Sequence, residues 1–285
     1  MLVIVGTLPF DNIEVGGGRA TFEGGRLKIG GLDVIPSLGT STMVASACIV
    51  CEALKLGPPY FITAGDIGDG RRSKELYQYV ASNILSLNPS VLAMHYIMPD
   101  IKGIRGILES LKKKETTIIA DAGAMYATKA AGLSKSVDIF TPDAGEMAYL
   151  ADPRATHPAY VQHLLFELDA SKILTLIKKA YEYGNVPDVL LVKGPVDYIV
   201  KGGEVAGVID EPSIPALEAI GGTGDCLTGI LSSLIYAGLE RVDACIKAAK
   251  INRIAGMLAN PDPSTSILRI IGKIKDALRE VRLCV

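Results

Sequence analysis

The sequence of 285 residues lacks several features that would indicate particular classes of protein. It has no run of about 18 apolar residues, the length that a membrane-spanning helix needs. A net charge of −2 provides no extended basic surface for nucleic acid. We expect no signal peptide, because the chain starts directly with the strand-like segment Leu2-Val3-Ile4-Val5. A cytoplasmic protein with neither a membrane partner nor a nucleic-acid partner is therefore predicted.

Cysteine and histidine are scarce, and their spacing indicates no disulfide framework or metal site. Cys48 and Cys51 form a C-x-x-C, but both lie on one face of an apolar helical stretch, which favours core packing over redox or metal chemistry. His95, His157 and His163 are too scattered for a metal site. The sequence also contains no Ser-His-Asp arrangement and no H-E-x-x-H pattern. These absences leave an ordinary α/β protein as the working class.

Strand and helix periods alternate along most of the chain. This alternation predicts one domain over residues 1–285, a three-layer, doubly wound α/β fold whose mostly parallel sheet is covered on both faces. Predicted strands lie at 2–5, 60–64, 91–96, 117–121, 137–141 and 189–193, with a hairpin at 198–201 and 204–209. Predicted helices lie at 43–56, 72–87, 100–113, from 145 onward, 171–183, 225–237, 242–259 and 265–281.

Two segments interrupt the alternation. Residues 11–31 are rich in glycine, and turns at Gly16–Gly18 and Gly24–Gly25 predict small hairpins. Their strands are short and polar, which favours a β flap beside the core over membership of the main sheet. Residues 151–169 contain two prolines and two histidines and are predicted to form a surface loop.

The strongest chemical pattern is Gly221-Gly222-Thr223-Gly224-Asp225, directly before an apolar helical stripe. The glycines allow a ligand to approach the backbone closely, and the free N–H groups at a helix start attract phosphate. Asp225 as a plain N-cap is the competing interpretation. That interpretation does not explain two adjacent glycines, so we favour a phosphate-binding turn, with Asp225 placed to accept the proton of an attacking hydroxyl.

These residues resemble the ribokinase-like superfamily. Gly222-Thr223-Gly224-Asp225 matches its G-x-G-D anion hole, whose Asp is the catalytic base of the PfkB-type sugar and nucleoside kinases. The sequence from Gly221 to Asp225 is similar to that of the NAD(P)H-hydrate dehydratase branch. The resemblance implies a ribokinase-like fold with the flap as a lid, ATP or ADP with Mg²⁺ as cofactors, and room for a homodimer.

On the acceptor side, the resemblance extends to the N-terminal third and to one strand end. The segment ending at Asp11 is similar to the first strand of the kinases, whose Asp binds substrate hydroxyls. Gly39 and Thr40 stand where the kinases carry a substrate motif, although its double glycine and asparagine are missing. Asp121 occupies the position of a strand-end Asp of the family, and either a capping role or a contact to the ligand is open to it.

On the nucleotide side, the pattern from Thr141 to Glu146 is similar to the T-P-N-x-x-E of the kinases and the T-P-H-x-G-E of the dehydratases. The resemblance implies that Asp143 and Glu146 organise Mg²⁺; read alone, the pattern is equally a capped helix start. Further nucleotide-side candidates are Lys193 and Gly194, which resemble a strand end near the phosphates, together with Thr141, Gly221 and Asn252.

Three functions compete. The favoured expectation is an ATP-dependent small-molecule kinase, a phosphotransferase that acts on a carbohydrate or nucleoside hydroxyl with Asp225 as general base. The first alternative is an ADP- or ATP-dependent NAD(P)H-hydrate dehydratase, supported by the sequence around Gly221, Lys193 and Glu146. The second alternative is a non-catalytic nucleotide-binding protein of the same fold. The kinase is preferred because the segment from Gly6 to Asp11 and the flap resemble kinase features.

Overall fold

The computed structural model describes residues 1–112, 114–155 and 170–283. Most of the loop predicted at residues 151–169 lies outside these ranges, and so do His157 and His163. Among the described residues, no helix is both long enough and apolar enough to cross a lipid bilayer.

The centre of the molecule is a parallel sheet. Six of the described strands run in the same direction, in the order β9-β8-β7-β6-β1-β5. The central strand β1 is buried along its whole length, as its four consecutive apolar residues predict for a strand covered on both faces. The six strands are β1 (Leu2–Val5), β5 (Tyr60–Thr63), β6 (Val91–Met94), β7 (Thr117–Ala120), β8 (Ile139–Phe140) and β9 (Val189–Val192).

Antiparallel strands extend the sheet at both edges. The hairpin of β10 (Asp197–Lys201) and β11 (Glu204–Ile209) follows β9, as predicted. At the other edge, β2 (Gly16–Glu23) pairs with β5, and β3 (Arg26–Ile29) and β4 (Leu32–Val34) follow. The segment predicted as a flap beside the core therefore continues the main sheet.

The glycines of this edge segment play two different roles. Gly24 and Gly25 form the predicted turn, with φ angles of 57° and 76°. The turn predicted at Gly16–Gly18 is wrong, because these residues are the start of β2. A Cβ on Gly17 would lie 2.8 Å from the ring of Tyr60, so the glycine permits close strand pairing rather than a chain reversal.

Helices cover both faces of the sheet, which confirms the predicted fold class. Leu2 and Ile4 point into one apolar core, and Val3 and Val5 point into the other. The first core is closed by α1 (Thr40–Ala53), α7 (Thr223–Tyr236), α8 (Arg241–Leu258), α9 (Ile267–Ile271) and α10 (Ile274–Glu280). The second core lies under α2 (Arg71–Leu87), α3 (Ile101–Leu111), α4 (Ala122–Ala130), α5 (Ala144–Ala151) and α6 (Ala170–Glu182). The single helix predicted at 265–281 is two short helices, α9 and α10.

Helices α1 and α7 pack against each other without an intervening side chain at Gly229. A Cβ on Gly229 would collide with the carbonyl oxygen of Met43 in α1. This close contact at Gly229 fixes the starts of α1 and α7 relative to each other.

Cys48 and Cys51 are buried in α1, and burial raises the pKa of the Cys51 thiol to about 11. This confirms the prediction that the C-x-x-C is part of the core.

Candidate active site

A cavity of about 550 Å³ lies at the carboxyl ends of the parallel strands. The chain passes from β1 to β5 on one side and then to β6 on the other side, so this edge is the switch point at which open α/β sheets bind ligands. Four polar residues directly follow neighbouring strands there: His95 after β6, Asp121 after β7, Thr141 after β8 and Lys193 after β9.

Asp225 lies at the wall of the cavity, in the first turn of α7. Its Oδ2 accepts a hydrogen bond from the Gly39 N–H at 2.5 Å, and its Oδ1 lies 3.1 Å from His95 Nε2. The position before the first residue of α7 is Gly222, and no side chain caps that helix. Asp225 is therefore not an N-cap; its carboxylate binds groups from distant parts of the chain.

The turn before Asp225 has the open backbone that its glycines predict. Gly222 adopts a φ of 95°, a left-handed conformation that glycine accepts without strain. A Cβ on Gly221 would meet no neighbouring atom, so its absence keeps this side of the cavity clear. The N–H groups at the start of α7 and the positive end of its dipole border the cavity and can receive an anionic group.

The surroundings of Asp225 keep its carboxyl group ionised. Burial alone would raise the pKa of this group, since it disfavours the charged form. The hydrogen bond from His95, the positive charge of Lys193 and the Gly39 N–H outweigh burial and hold the pKa of Asp225 below its usual value. At neutral pH the cavity therefore contains a fixed carboxylate that can accept a proton.

Lys193 and Asp121 form a buried ion pair beside this carboxylate. Lys193 Nζ lies 3.0 Å and 2.9 Å from the two carboxylate oxygens of Asp121, and the Thr228 hydroxyl donates to Asp121 Oδ2 at 2.7 Å. Burial would lower the pKa of Lys193, but the Asp121 carboxylate opposes this and leaves it raised. The position of Lys193 beside Gly224 provides a permanent positive charge next to the glycine turn.

Asp143 and Glu146 form the capping box of α5. The Asp143 side chain accepts from the Glu146 N–H, and the Glu146 side chain accepts from the Asp143 N–H. Glu146 also accepts from the Tyr126 hydroxyl at 2.7 Å, and burial raises its pKa to about 7. Both residues line the cavity. Within the described ranges, no group of three or more His, Cys, Asp or Glu side chains is arranged to hold a metal ion.

The floor of the cavity beyond Lys193 is fixed by Arg253, a residue that the sequence did not single out. Its guanidinium pairs with Asp197 at 2.7 Å and donates to the carbonyls of Gly194 and Pro195. The neighbouring Asn252 also lines the cavity. Its Oδ1 is buried and has no hydrogen-bond partner among the described residues.

The remaining predicted site residues divide into two groups. Thr40 and Thr141 are buried beside the cavity, where their hydroxyls bind His95 and Thr228. Asp11 is exposed and does not belong to the cavity wall. The cavity thus brings the nucleotide-side candidates together with Asp121 and Asp225, while Asp11 lies apart from them.

His95 is the functional candidate that the sequence analysis missed. It was considered only as a metal ligand, and a lone histidine carries no such pattern. The signal that could have identified it is its position near the end of the predicted strand 91–96, because ligands bind outside the carboxyl ends of parallel strands. Asp121 and Lys193, which the family resemblance selected, also lie at strand ends. In the structure it is almost completely buried and contacts Thr40, Asp225 and Asp121.

Comparisons with known proteins identify relatives over most of the chain. The family model described as NAD(P)H-hydrate dehydratase matches residues 98–275. An uncharacterized protein of Methanocaldococcus jannaschii is 42% identical over 217 residues, which cover 76% of this chain and 90% of that protein. An ADP-dependent (S)-NAD(P)H-hydrate dehydratase of Cenarchaeum symbiosum is 28% identical over 173 residues, 61% of this chain and 55% of that protein. The match thus spans about half the length of this named dehydratase.

The fold comparison agrees with the sequence comparison. A crystal structure of the ADP/ATP-dependent NAD(P)H-hydrate dehydratase of Bacillus subtilis, co-crystallised with ATP/Mg²⁺ and soaked with CoA, superposes with a TM-score of 0.58. The two chains are 14% identical, and the alignment covers 98% of this chain and 90% of the other. At this identity the likeness establishes the ribokinase-like fold.

These findings correct the preferred function. The expectation of a kinase that transfers phosphate to a carbohydrate or nucleoside hydroxyl is contradicted, because the matching family and the functionally named relatives are NAD(P)H-hydrate dehydratases. The prediction of a phosphotransferase is contradicted as well, because the relatives named as dehydratases are lyases. The comparisons support the dehydratase that the sequence analysis kept as its first alternative.

Proposed function

This chain belongs to the NAD(P)H-hydrate dehydratase family, and we propose that it removes the added water from a hydrated reduced nicotinamide nucleotide, using ADP or ATP as phosphoryl donor. The observation that carries the proposal is the Asp225 carboxylate, held by His95 and the Gly39 N–H at the wall of the cavity, directly after the glycine turn. A protein that only bound nucleotide would not need an ionised carboxylate fixed beside the phosphate position.

The reaction follows from this arrangement in two steps. In the first, the hydroxyl oxygen of the hydrate attacks the terminal phosphorus of the nucleotide, the bond from phosphorus to the leaving nucleotide breaks, and Asp225 accepts the hydroxyl proton. In the second, the C–O bond breaks and its electron pair leaves with phosphate. The adjacent ring carbon gives up a proton to the departing phosphate, and the electrons of that C–H bond restore the double bond. The products are the reduced nicotinamide nucleotide, phosphate and the shortened nucleotide.

The described residues divide this work among them. The N–H groups of the turn at Gly221–Gly224 bind the phosphoryl group during its transfer, and Lys193 neutralises its negative charge. Asn252, which lines the cavity, is assigned to the nucleotide side. Asp121 keeps Lys193 charged and in place through the ion pair described above.

Mg²⁺, when bound, would neutralise the nucleotide phosphates further. Asp143 and Glu146 fit this ion, because Mg²⁺ in nucleotide sites takes one or two carboxylates and completes its shell with phosphate oxygens and water. Both side chains line the cavity, and each oxygen of Glu146 accepts one hydrogen bond and retains a free lone pair.

The direct test is to incubate the protein with hydrated NADH and hydrated NADPH in the presence of ADP or ATP. Regained near-ultraviolet absorbance of the reduced nicotinamide, with one phosphate released per molecule restored, is the expected result. A panel of sugars and nucleosides with ATP serves as the control. No restoration with either nucleotide, across both hydrates, would refute the proposal.

The raised pKa of Glu146 predicts a pH-dependent requirement for Mg²⁺. Below its pKa of about 7, this carboxyl group is neutral and binds a cation poorly; above it, the group is charged. The half-saturating Mg²⁺ concentration is therefore expected to rise as the pH falls from 8 to 6, by about tenfold per pH unit at the acidic end. The measurement is a Mg²⁺ titration of dehydration rate at several pH values.

Glu146→Gln is the matched variant for this titration. Its side chain can still accept from Tyr126, but it does not titrate, so its Mg²⁺ requirement should be high and flat across the same pH range. A wild-type requirement that does not change with pH would contradict the role assigned to Glu146.

A further inference from the structure

His95 takes no part in the phosphoryl transfer as written above, yet the fold fixes it with unusual completeness. Its N–H donates to the carbonyl of Val5 in β1 at 2.9 Å, and its carbonyl accepts from the Ala124 N–H at 3.2 Å. The ring is 1% exposed and packs edge-on against Tyr96 at 4.5 Å between centroids. A polar ring buried to this extent, between two catalytic-side carboxylates, calls for a chemical reason.

The contacts of the two ring nitrogens determine which one carries the proton. Nε2 lies 3.1 Å from Asp225 Oδ1 and 3.6 Å from Asp121 Oδ2. An ionised carboxylate only accepts hydrogen bonds, so Nε2 must be protonated. Nδ1 lies 3.1 Å from the Thr40 hydroxyl. In a neutral Nε2–H tautomer that hydroxyl would donate to Nδ1, and the ring, the hydroxyl and the carboxylate would be satisfied together.

The Thr40 side chain occupies space that is free because residue 6 is glycine. It is buried at the first position of α1, and a Cβ on Gly6 would lie 2.6 Å from its side chain. Gly6 follows β1, and Gly39, the residue before Thr40, donates to the other oxygen of Asp225. One short segment therefore fixes the carboxylate twice: directly through the Gly39 N–H and indirectly through Thr40 and His95.

We propose that His95 is a positioning residue for Asp225: its Nε2–H holds Oδ1 while the Gly39 N–H holds Oδ2, so that the carboxylate presents its free lone pairs to the substrate hydroxyl. Thr40 fixes the tautomer and the tilt of the ring. The inference rests on the proposed function, because it assigns Asp225 the hydroxyl proton, and it adds to that function a residue that the chemistry depends on without contacting the substrate.

Other charged or titratable groups near Asp225 come from the ends of neighbouring strands. Lys193 from the end of β9 adds positive charge, and its own carboxylate partner is Asp121 from the end of β7. The Tyr96 phenol stays protonated, since burial, together with the carboxylates of Asp225, Glu146 and Asp121, raises its pKa to about 12. The described groups in direct contact with the Asp225 carboxylate are the Gly39 N–H and the His95 ring. His95 is the one that a side-chain substitution removes, and Lys193 keeps its positive charge in such a variant.

The test compares His95→Leu with His95→Gln. Leucine fills the space but donates nothing, whereas the glutamine amide places an N–H close to the position of Nε2. We expect kcat of His95→Leu to fall by about 100-fold, with KM for the nucleotide changed little, since a positioned base contributes about 10²–10⁴-fold. His95→Gln should recover at least about tenfold of that loss.

The pH profile provides a readout that a purely structural role would not move. Loss of a hydrogen-bond donor raises the pKa of a carboxyl group, so the acid limb of kcat/KM should shift to higher pH in His95→Leu and less in His95→Gln. Equal losses in the two folded variants, or an acid limb unchanged in His95→Leu, would overturn the proposal.

Nitrogen NMR of the wild-type protein separates this inference from the dehydratase assignment. The His95 ring, assigned by the signals that disappear in His95→Gln, is expected to show the Nε2–H tautomer at neutral pH, and its Nε2–H proton should move upfield in Asp225→Asn. If these shifts are seen without dehydration, the proposed function fails and the contact stands. If dehydration is seen and the ring is the Nδ1–H tautomer, the positioning role fails alone.

Discussion

Replacement of Asp225 with asparagine is expected to lower kcat for dehydration by about 10²–10⁴-fold, the usual contribution of a positioned base. The amide cannot accept the hydroxyl proton, and its NH₂ group would face one of the two donors that hold the carboxylate, His95 Nε2–H or the Gly39 N–H. Nucleotide affinity should change far less, because the N–H groups of the turn and Lys193 remain. Steady-state rates and nucleotide titrations on the same preparations measure both effects.

Asp188→Asn is the matched control for this substitution. Asp188 is exposed and directly precedes β9, at the opposite end of the strand from the cavity. Its variant should retain wild-type rates. If Asp225→Asn turned over hydrated NADH at the rate of this control, the proton would have to reach another group, and the assignment of the base would be wrong.

Replacement of Lys193 with methionine is expected to destabilise the fold by about 3–5 kcal/mol, because it leaves the Asp121 carboxylate buried and unpaired. Lys193 and Asp121 are 14% and 2% exposed in their side chains, so water cannot compensate for the lost partner. The same change removes the positive charge beside the phosphate-binding turn. Denaturant unfolding and nucleotide titration should therefore both be affected.

A double substitution separates these two consequences. Asp121→Asn with Lys193→Met removes both charges, so much of the lost stability should return, whereas nucleotide affinity and turnover should not. Lys179→Met, at an exposed position of α6, controls for the general loss of a lysine. Recovery of turnover in the double variant would show that Lys193 supports the fold and not the phosphate.

The fold followed from sequence because its main signals are local. Apolar runs such as Leu2–Val5 and Val189–Val192 predicted buried strands, and each was found. The N-terminal edge was harder, because Gly16–Gly18 has the composition of a turn. Only the approach of Tyr60 from the neighbouring strand β5 makes those residues extended, and a partner more than 40 residues away leaves no trace in the local pattern.

The candidate site was predictable where a residue matches a family motif or follows a glycine turn. The resemblance indicated Asp121 and Lys193, the turn indicated Asp225, and the structure brings the three to one cavity. His95 belongs to no such motif, and a lone histidine in a predicted strand carries no local signal of function. Arg253 lies in the middle of α8, where nothing in the sequence distinguishes it from a solvated helix residue; its partner Asp197 is 56 residues away.

The preferred function was wrong because it depended on the segment from Gly6 to Asp11 and on the flap, which lie outside the cavity wall. Asp11, the key residue of that resemblance, is exposed and outside the cavity wall. Two segments have sequences similar to those of the dehydratases: Thr141 to Glu146 and Gly221 to Asp225. Both fall within the range of the family model, residues 98–275. Residues that line the cavity therefore indicated the chemistry better than the kinase-like segments outside it.

The hydrogen bond from Gly39 to Asp225 joins residues 186 positions apart, and Gly229 lets the helices that carry them touch. On the ribosome, α1 and β6 are made before α7. A growing chain therefore carries Gly39 and His95 before it contains Asp225. Under the proposed function, partly made chains that lack α7 cannot turn over nucleotide.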